Sequence, residues 1–341
     1  MENVSLRSAE GLIALMGIRS LGPATAVKLA GRFGAMSEIL GSSPDDLKGL
    51  ATEPIRRLLV EGGPAVADAF GRAADEIARA QDMGATVMSA FDDEYPKRLA
   101  GIPDRPLVIY TSGDLTLLDR SVACVGTREP TAFGAAVSQR LTTMLGEAGW
   151  TIVSGLARGV DAICHEAALA CGAPTAAVLG SGVDVYSSEA AFNLAGRIVE
   201  AGGVIISEQP LGRQADSSSL IRRNRIQCGV SAATFFMQAG MESGTMHTVR
   251  YALLQGRPIF APGIPASYAS EELNQAAMCM TRMAASDFAT AIDAKESVME
   301  AVGRLDRENA AIEISGKDSY PDVLRHLEGL LEPAHLPAPL A

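Results

Sequence analysis

From Ser121 onward, apolar runs of four to six residues alternate with stretches of helical period. The runs lie within VACVG, TIVSG, TAAVLG, GVIISE, AATFFMQAG and PIFAPG. Helices are expected between them at about 131–148, 160–171, 189–201 and 245–255, and the segment SSSLIRRNRIQCGVS separates the fourth run from the fifth. Short apolar strands alternating with helices predict an α/β fold: a parallel sheet with helices on both faces. The earlier part of the chain is patterned differently. Residues 11–40 carry two apolar helical stretches hinged at Ser20-Leu21-Gly22-Pro23, with Pro23 at a helix start. Residues 54–82 read as further amphipathic helix, and 91–115 are punctuated by proline as a linker or edge strand would be. The expected division is therefore a helical domain over 1–85, a linker and edge strand over 86–120, the α/β domain over 121–290 and an acidic helical tail over 291–341.

Composition changes this picture only at the margins. The chain has 341 residues, 48% of them hydrophobic and 5% aromatic, with 34 glycines, which suits packed helices and glycine-rich strand-to-helix turns. Its N-terminus lacks a basic start followed by an unbroken apolar core, and no segment approaches the roughly 18 apolar residues of a membrane span. A cytoplasmic protein without membrane association is expected. Cys124, Cys164, Cys171, Cys228 and Cys279 show no CxxC spacing, so they read as buried free thiols, and neither metal nor cofactor is expected.

Charge is distributed unevenly. The formal net charge is -11, yet residues 121–263 carry 10 basic and 10 acidic side chains, and every basic one is Arg. Arginine suits bidentate phosphate contact and stacking on bases. An acidic chain does not coat nucleic acid generally, so any such binding is confined to a local patch.

The candidate chemistry gathers at the carboxyl ends of the strands, where ligands of open α/β sheets bind near a switch in strand order. These ends read GTREP, SGLARGVD, GSGVD, SEQP and QAGMESGT. Small residues there leave backbone N–H groups and hydroxyls free to cradle an anion. The first turn is not GxGxxG and no acidic residue ends the second strand, which argues against an ordinary NAD site. Arg222 and Arg225 stand three apart, so on a helical turn they share a face that can grip one phosphate, with Arg223 pointing elsewhere and Asn224 holding the turn. Arg225 is equally suited to pair with Glu208, and Asp161 to cap or pair at the sheet end. His165, one turn beyond Asp161, reads as a satisfied cleft histidine and not as a catalyst.

Tyr95-Pro96, Pro106, Gly113-Asp114-Leu115, CVGTRE, IVSGLARGVDAICHEAAL, VLGSGVDVY, ISEQP, RRNRI, SGTMHT and GRPIFAPG follow one another in an order and spacing that resemble the DprA/Smf family of DNA-processing proteins. The resemblance covers roughly residues 90–263, and the hairpin at 11–40 resembles a helix-hairpin-helix unit of a small SAM-like domain, with Ser20 in place of its first glycine. It implies an extended Rossmann-like domain that dimerises, binds single-stranded DNA and helps load the RecA recombinase during natural transformation. The DNA-binding set it implies, together with the strand ends, is Gly126, Thr127, Arg128, Ser154, Gly155, Arg158, Gly159, Asp161, His165, Gly180, Ser181, Gly182, Arg222, Arg223, Asn224, Arg225, Ser243, Gly244 and Thr245, with no catalytic residue. Family members often add a C-terminal winged helix. Here DVLRHLEGLLE at 322–332 is expected to form one helix before a loose proline-rich end, too short for the full module.

Several residues depart from the family pattern. Leu220-Ile221 replace a Phe-Pro pair, Tyr186-Ser187 an aromatic-proline pair, Gln238 an acidic residue, and Glu272–Ala277 a glycine-containing motif. The competing reading is a receptor or hydrolase for a nucleotide-derived small molecule on a related Rossmann-like fold. Such phosphoribohydrolases carry PGGxGTxxE, where this chain has GMESGTMHT with Thr248 at the glutamate position, and a hydroxyl does not replace a carboxylate in proton transfer near neutral pH. Two expectations follow: a preference for single-stranded over duplex DNA, and a homodimer formed through the apolar edge strands FFMQAG and IFAPG.

Overall fold

Each of the six apolar runs forms a strand in the computed structural model, which describes residues 1–305 and 308–331. They are β3 (Ser121–Val125), β4 (Thr151–Ser154), β5 (Thr175–Leu179), β6 (Val204–Ser207), β7 (Ala233–Phe236) and β8 (Ile259–Pro262). Almost every residue in them is buried, because helices cover both sheet faces. Three further strands extend the sheet: β1 (Thr86–Ser89), β2 (Val108–Ser112) and β9 (Ile312–Ile314). The order is β1-β2-β6-β5-β4-β3-β7-β8-β9. All pairings from β6 to β9 are parallel, whereas β1 with β2 and β2 with β6 are antiparallel. The sheet is thus mixed and not purely parallel: the proline-rich 86–120 segment supplies two antiparallel strands.

Strand order runs outward from β3 in both directions, so the switch point lies between β3 and β7. Helices Ala132–Glu147, Val160–Ala170 and Glu189–Glu200 connect β3 through β6, and helices Ser217–Val230 and Thr245–Leu254 serve the other half. The core at the centre is aromatic: Phe235 and Phe260 face each other across the β7–β8 register with ring centroids 4.9 Å apart.

The acidic C-terminal segment is no appendage. β9 pairs with β8, and helix Tyr320–Gly329, which occupies the expected place, buries Val323 and Leu327 against the same core. Both guanidinium Nη groups of Arg120 bond the Glu328 carboxylate while the guanidinium lies over the Trp150 ring, and Arg98 Nη2 donates to Leu330 O at 3.3 Å. β9 therefore covers the β8 edge that was expected to pair with a second copy. The proline-rich end at 332–341 lies outside the described residues.

Five helices precede β1, among them Ala9–Met16, Pro23–Arg32 and Pro64–Asp82, packed around fully buried Leu12, Leu15, Leu29, Ile39 and Leu59. Ser20, at the hinge of the hairpin, adopts φ +68°, a left-handed backbone costing a non-glycine residue roughly 1 to 2 kcal/mol. The helical part is tied to the sheet: Tyr110 Oη donates to Glu76 Oε1 and Ser89 Oγ to Arg7 O, each at 2.5 Å. No helix among the described residues is long and apolar enough to cross a membrane.

Candidate nucleic-acid interface

A cleft of about 440 Å³ opens at the switch point, between the carboxyl ends of β3, β4 and β7 and the flank of helix Ser217–Val230. Its walls are built by close backbone approach. A Cβ at Gly126 would stand 2.6 Å from Val160 Cγ2 and 2.8 Å from Gln238 O, so only glycine lets the turn after β3 fold down. Thr127 then donates its N–H to Gln238 O at 2.7 Å and accepts from Val160 N at 3.0 Å, sewing β3, β7 and the next helix together. Gly159 has φ +80° and packs against the carbonyl of Arg128, where a Cβ would meet it at 2.5 Å.

Arg128 and Arg223 supply the positive charge. Arg128 lines the cleft, is exposed and makes no ion pair among the described residues. Arg223 is 6% exposed, donates Nη1 to Val178 O and occupies the space a Cβ of Gly155 would fill. Its buried Nε has no partner among the described residues. Asp161 faces it from the first turn of helix Val160–Ala170. Burial raises the Asp161 carboxyl above the usual range, opposed by the Arg223 charge and by the backbone N–H groups of Ala157 and Gly155. Arg223 is likewise held below its ordinary value by burial, with Asp161 acting against the shift and Arg128 adding to it.

The opposite wall is the start of helix Thr245–Leu254, where Ser243, Gly244, Thr245 and Thr248 line the cleft and the buried Ser243 Oγ has no partner among the described residues. Three helices begin at this cleft. Ser217–Val230 is capped by Asp216 in a capping box with Ser219, but Val160–Ala170 and Thr245–Leu254 have no side-chain cap. Val160, Ala162, Met246 and His247 already give their N–H groups to backbone carbonyls, so what these uncapped starts offer an anion is chiefly the positive dipole end.

Other expected residues stand elsewhere. RRNR lies within helix Ser217–Val230, so Asn224 holds no turn; it lines the cleft together with Ser217, Leu220, Ile221 and Gln227. Arg222 and Arg225 do share a face, but that face meets Glu208. Arg225 is fully engaged, with Nη1 and Nη2 at 2.8 and 2.6 Å from the two Glu208 oxygens and Nε donating to Asp104 O at 2.7 Å. Arg222 is mostly exposed, 3.6 Å from the same carboxylate. The arginine directed to the cleft is therefore Arg223, the one expected to point elsewhere, because Glu208, nearly buried just after β6, captures its neighbours. Arg158 points to solvent and pairs with Glu129 at 2.7 Å. Ser154 Oγ bonds Cys124 O at 2.7 Å beneath the cleft.

His165 is fully buried and does not line the cleft. Thr175 Oγ1 gives its proton to Ile152 O at 2.7 Å, so it accepts from His165 Nδ1 at 2.7 Å. Burial and then the Arg223 charge lower the His165 pKa to about 3, which keeps the ring neutral near pH 7. Gly180, Ser181 and Gly182 also lie outside the cleft lining: Gly180 backs onto Leu220, Ser181 Oγ bonds Val185 O at 2.6 Å, and Gly182 N donates to Arg213 O at 2.9 Å.

One polar cluster was not anticipated. Gln238 is fully buried, takes the Thr131 N–H on Oε1 at 2.9 Å and donates Nε2 to Thr131 Oγ1 and Asn274 Oδ1 at 2.9 and 2.7 Å. Asn274 Nδ2 in turn donates to Tyr268 O and Glu271 Oε2. Gln238 and Glu272–Ala277, two of the departures from the family pattern, thus meet in space. The amide at 238 signals this only when its partner 36 residues away is known.

The family model described as DNA recombination-mediator protein A matches residues 86–303. The chain belongs to this family. The match begins at β1, so the two antiparallel strands fall within the family's range. The chain is 36% identical over 179 residues to Protein Smf of Escherichia coli K12, covering 52% of this chain and 48% of that protein. It is 34% identical over 190 residues to DNA processing protein DprA of Bacillus subtilis 168, covering 55% of this chain and 64% of the relative. These matches span about half to under two-thirds of the relatives' own length. Among solved structures, DprA of Streptococcus pneumoniae superposes with TM-score 0.67 at 23% identity, over 94% of this chain and 99% of that one. DprA of Helicobacter pylori, whose structure concerns its single-stranded DNA-binding mode, gives 0.50 at 23% identity over 72% of this chain and 96% of that one. At such identity the superpositions establish the fold.

Proposed function

We propose that this chain binds single-stranded DNA at the switch-point cleft, shields it and passes it to the RecA recombinase, as a cytoplasmic homodimer that catalyses no reaction. The observation that carries the reading is Arg128, an exposed arginine without an ion pair among the described residues, set beside two uncapped helix N-termini. A free guanidinium beside the positive ends of two helices suits a phosphate. The family relationship supplies the polymer: the H. pylori relative binds single-stranded DNA. Transfer to RecA rests on the family resemblance alone. With the β8 edge covered by β9, the homodimer requires another face.

Fluorescence anisotropy with a labelled oligonucleotide and its duplex, at matched salt, tests the proposal. A single strand threads its phosphates through a narrow cleft that excludes a rigid duplex, so the single strand binds more tightly. Equal affinity for both forms counts against it. The cleft volume favours a second reading, since about 440 Å³ is also the size of a small-molecule pocket. A nucleotide-derived ligand would occupy the same residues, and nucleoside monophosphates would then displace the oligonucleotide at micromolar concentration.

A further inference from the structure

The exposed large hydrophobic side chains among the described residues are Met1, Met83, Phe192, Val199 and Tyr268. Its two aromatic members both stand on the carboxyl-end rim of the sheet. Phe192 lies in the first turn of the helix that follows β5, and Tyr268 in a short 3-10 turn after β8. β5 and β8 are each two places from β3 in the sheet, on opposite sides. At a strand spacing of about 4.8 Å, the strands carrying the rings are roughly 19 Å apart, with the Arg128 cleft between them.

Each exposed ring is braced by a second. Phe192, 59% exposed, meets Tyr186 edge-on with centroids 5.5 Å apart, and Tyr186 Oη is fixed by donating to Val183 O at 2.9 Å. Tyr268, 38% exposed, stacks on Phe133 at 4.5 Å, and Phe133 opens the helix that follows the Arg128 turn. A braced ring loses little freedom when a planar group settles on it. The two rings are separated by a polar cleft, so they do not form the contiguous apolar patch that a protein partner would cover. Charge between two rings is the pattern that accommodates a single strand, whose phosphates need cations and whose unstacked bases need π-faces.

We propose that Phe192 and Tyr268 are base-stacking rests on either side of the Arg128 cleft, each taking one base of a single strand whose backbone crosses between them. This rests on the single-strand reading above. The test is anisotropy with two labelled probes of equal length, oligo-dT and an abasic sugar–phosphate oligomer, using the full chain and variants checked for thermal stability and mass in solution. Phe192→Ala and Tyr268→Ala should each weaken oligo-dT binding roughly tenfold and leave abasic binding unchanged. Phe192→Tyr and Tyr268→Phe should retain wild-type affinity, and Arg128→Ala should weaken both probes. Alanine variants that match the wild type on oligo-dT, lose both probes equally, or change the mass in solution would overturn the assignment. If Arg128→Ala still weakens binding in the first case, only the stacking proposal falls; a wild-type chain that binds neither probe removes the single-strand reading as well.

Discussion

Two polar regions border the helix Ser217–Val230 and have opposite character. Around Arg225, charge is closed: the guanidinium meets both Glu208 oxygens and the Asp104 carbonyl, and the side chain is 3% exposed. Around Arg128, charge is open, with an unpaired guanidinium, an unpartnered Ser243 hydroxyl and uncapped helix starts. Saturated groups hold the fold and unsaturated ones remain available to a ligand. What separates Arg225 from Arg128 is the carboxylate that only the first of them meets.

The largest expected effect lies on the closed side. Arg225→Ala leaves the nearly buried Glu208 with only the exposed Arg222, 3.6 Å away, and should cost about 3 kcal/mol, read by denaturant unfolding, while folded protein keeps its DNA affinity. A loss of affinity without a loss of stability would break the comparison. His165 tests the layer beneath the cleft. Its folded pKa of about 3 lies below the unfolded value of 6.5, so the unfolded chain binds the extra proton. Its contribution is present in full above pH 6.5 and is lost as pH falls toward 3, at about 1.4 kcal/mol per pH unit. By pH 5 that amounts to roughly 2 kcal/mol, and His165→Gln should shrink the stability difference between pH 8 and pH 5 by this amount. Gln238→Ala leaves Asn274 and Thr131 without their shared partner and should cost roughly 1 to 3 kcal/mol, with binding unchanged. The smallest effect belongs to the exposed Arg158–Glu129 pair: Arg158→Ala should alter stability by no more than about 1 kcal/mol.

The six central strands and the position of the cleft were legible because apolar runs of strand length alternate with helices, and because such sheets open clefts at their carboxyl ends. The outer strands were less so. β1 is partly exposed and β9 is three residues long, so neither carries a distinctive apolar run, and only their pairing with β2 and β8 defines them. The RRNR spacing correctly put Arg222 and Arg225 on one face of a helix. Spacing does not say which way that face turns. That direction is set by Glu208, the partner that the sequence offered Arg225 as an alternative to phosphate, and by Gly155, whose missing side chain makes room for Arg223 and which the sequence did not single out for this.

The central claim is that Arg128 is a phosphate contact with no structural duty, and the most direct measurement is the salt dependence of oligonucleotide affinity in the wild type and Arg128→Ala. Plotting log K against log salt, the variant should lose about 0.7 from the slope, the share of one contact to a single strand, with thermal stability unchanged. An unaltered slope and affinity in a stably folded Arg128→Ala chain would contradict the account, because the one open cation of the described cleft would then play no part in holding DNA.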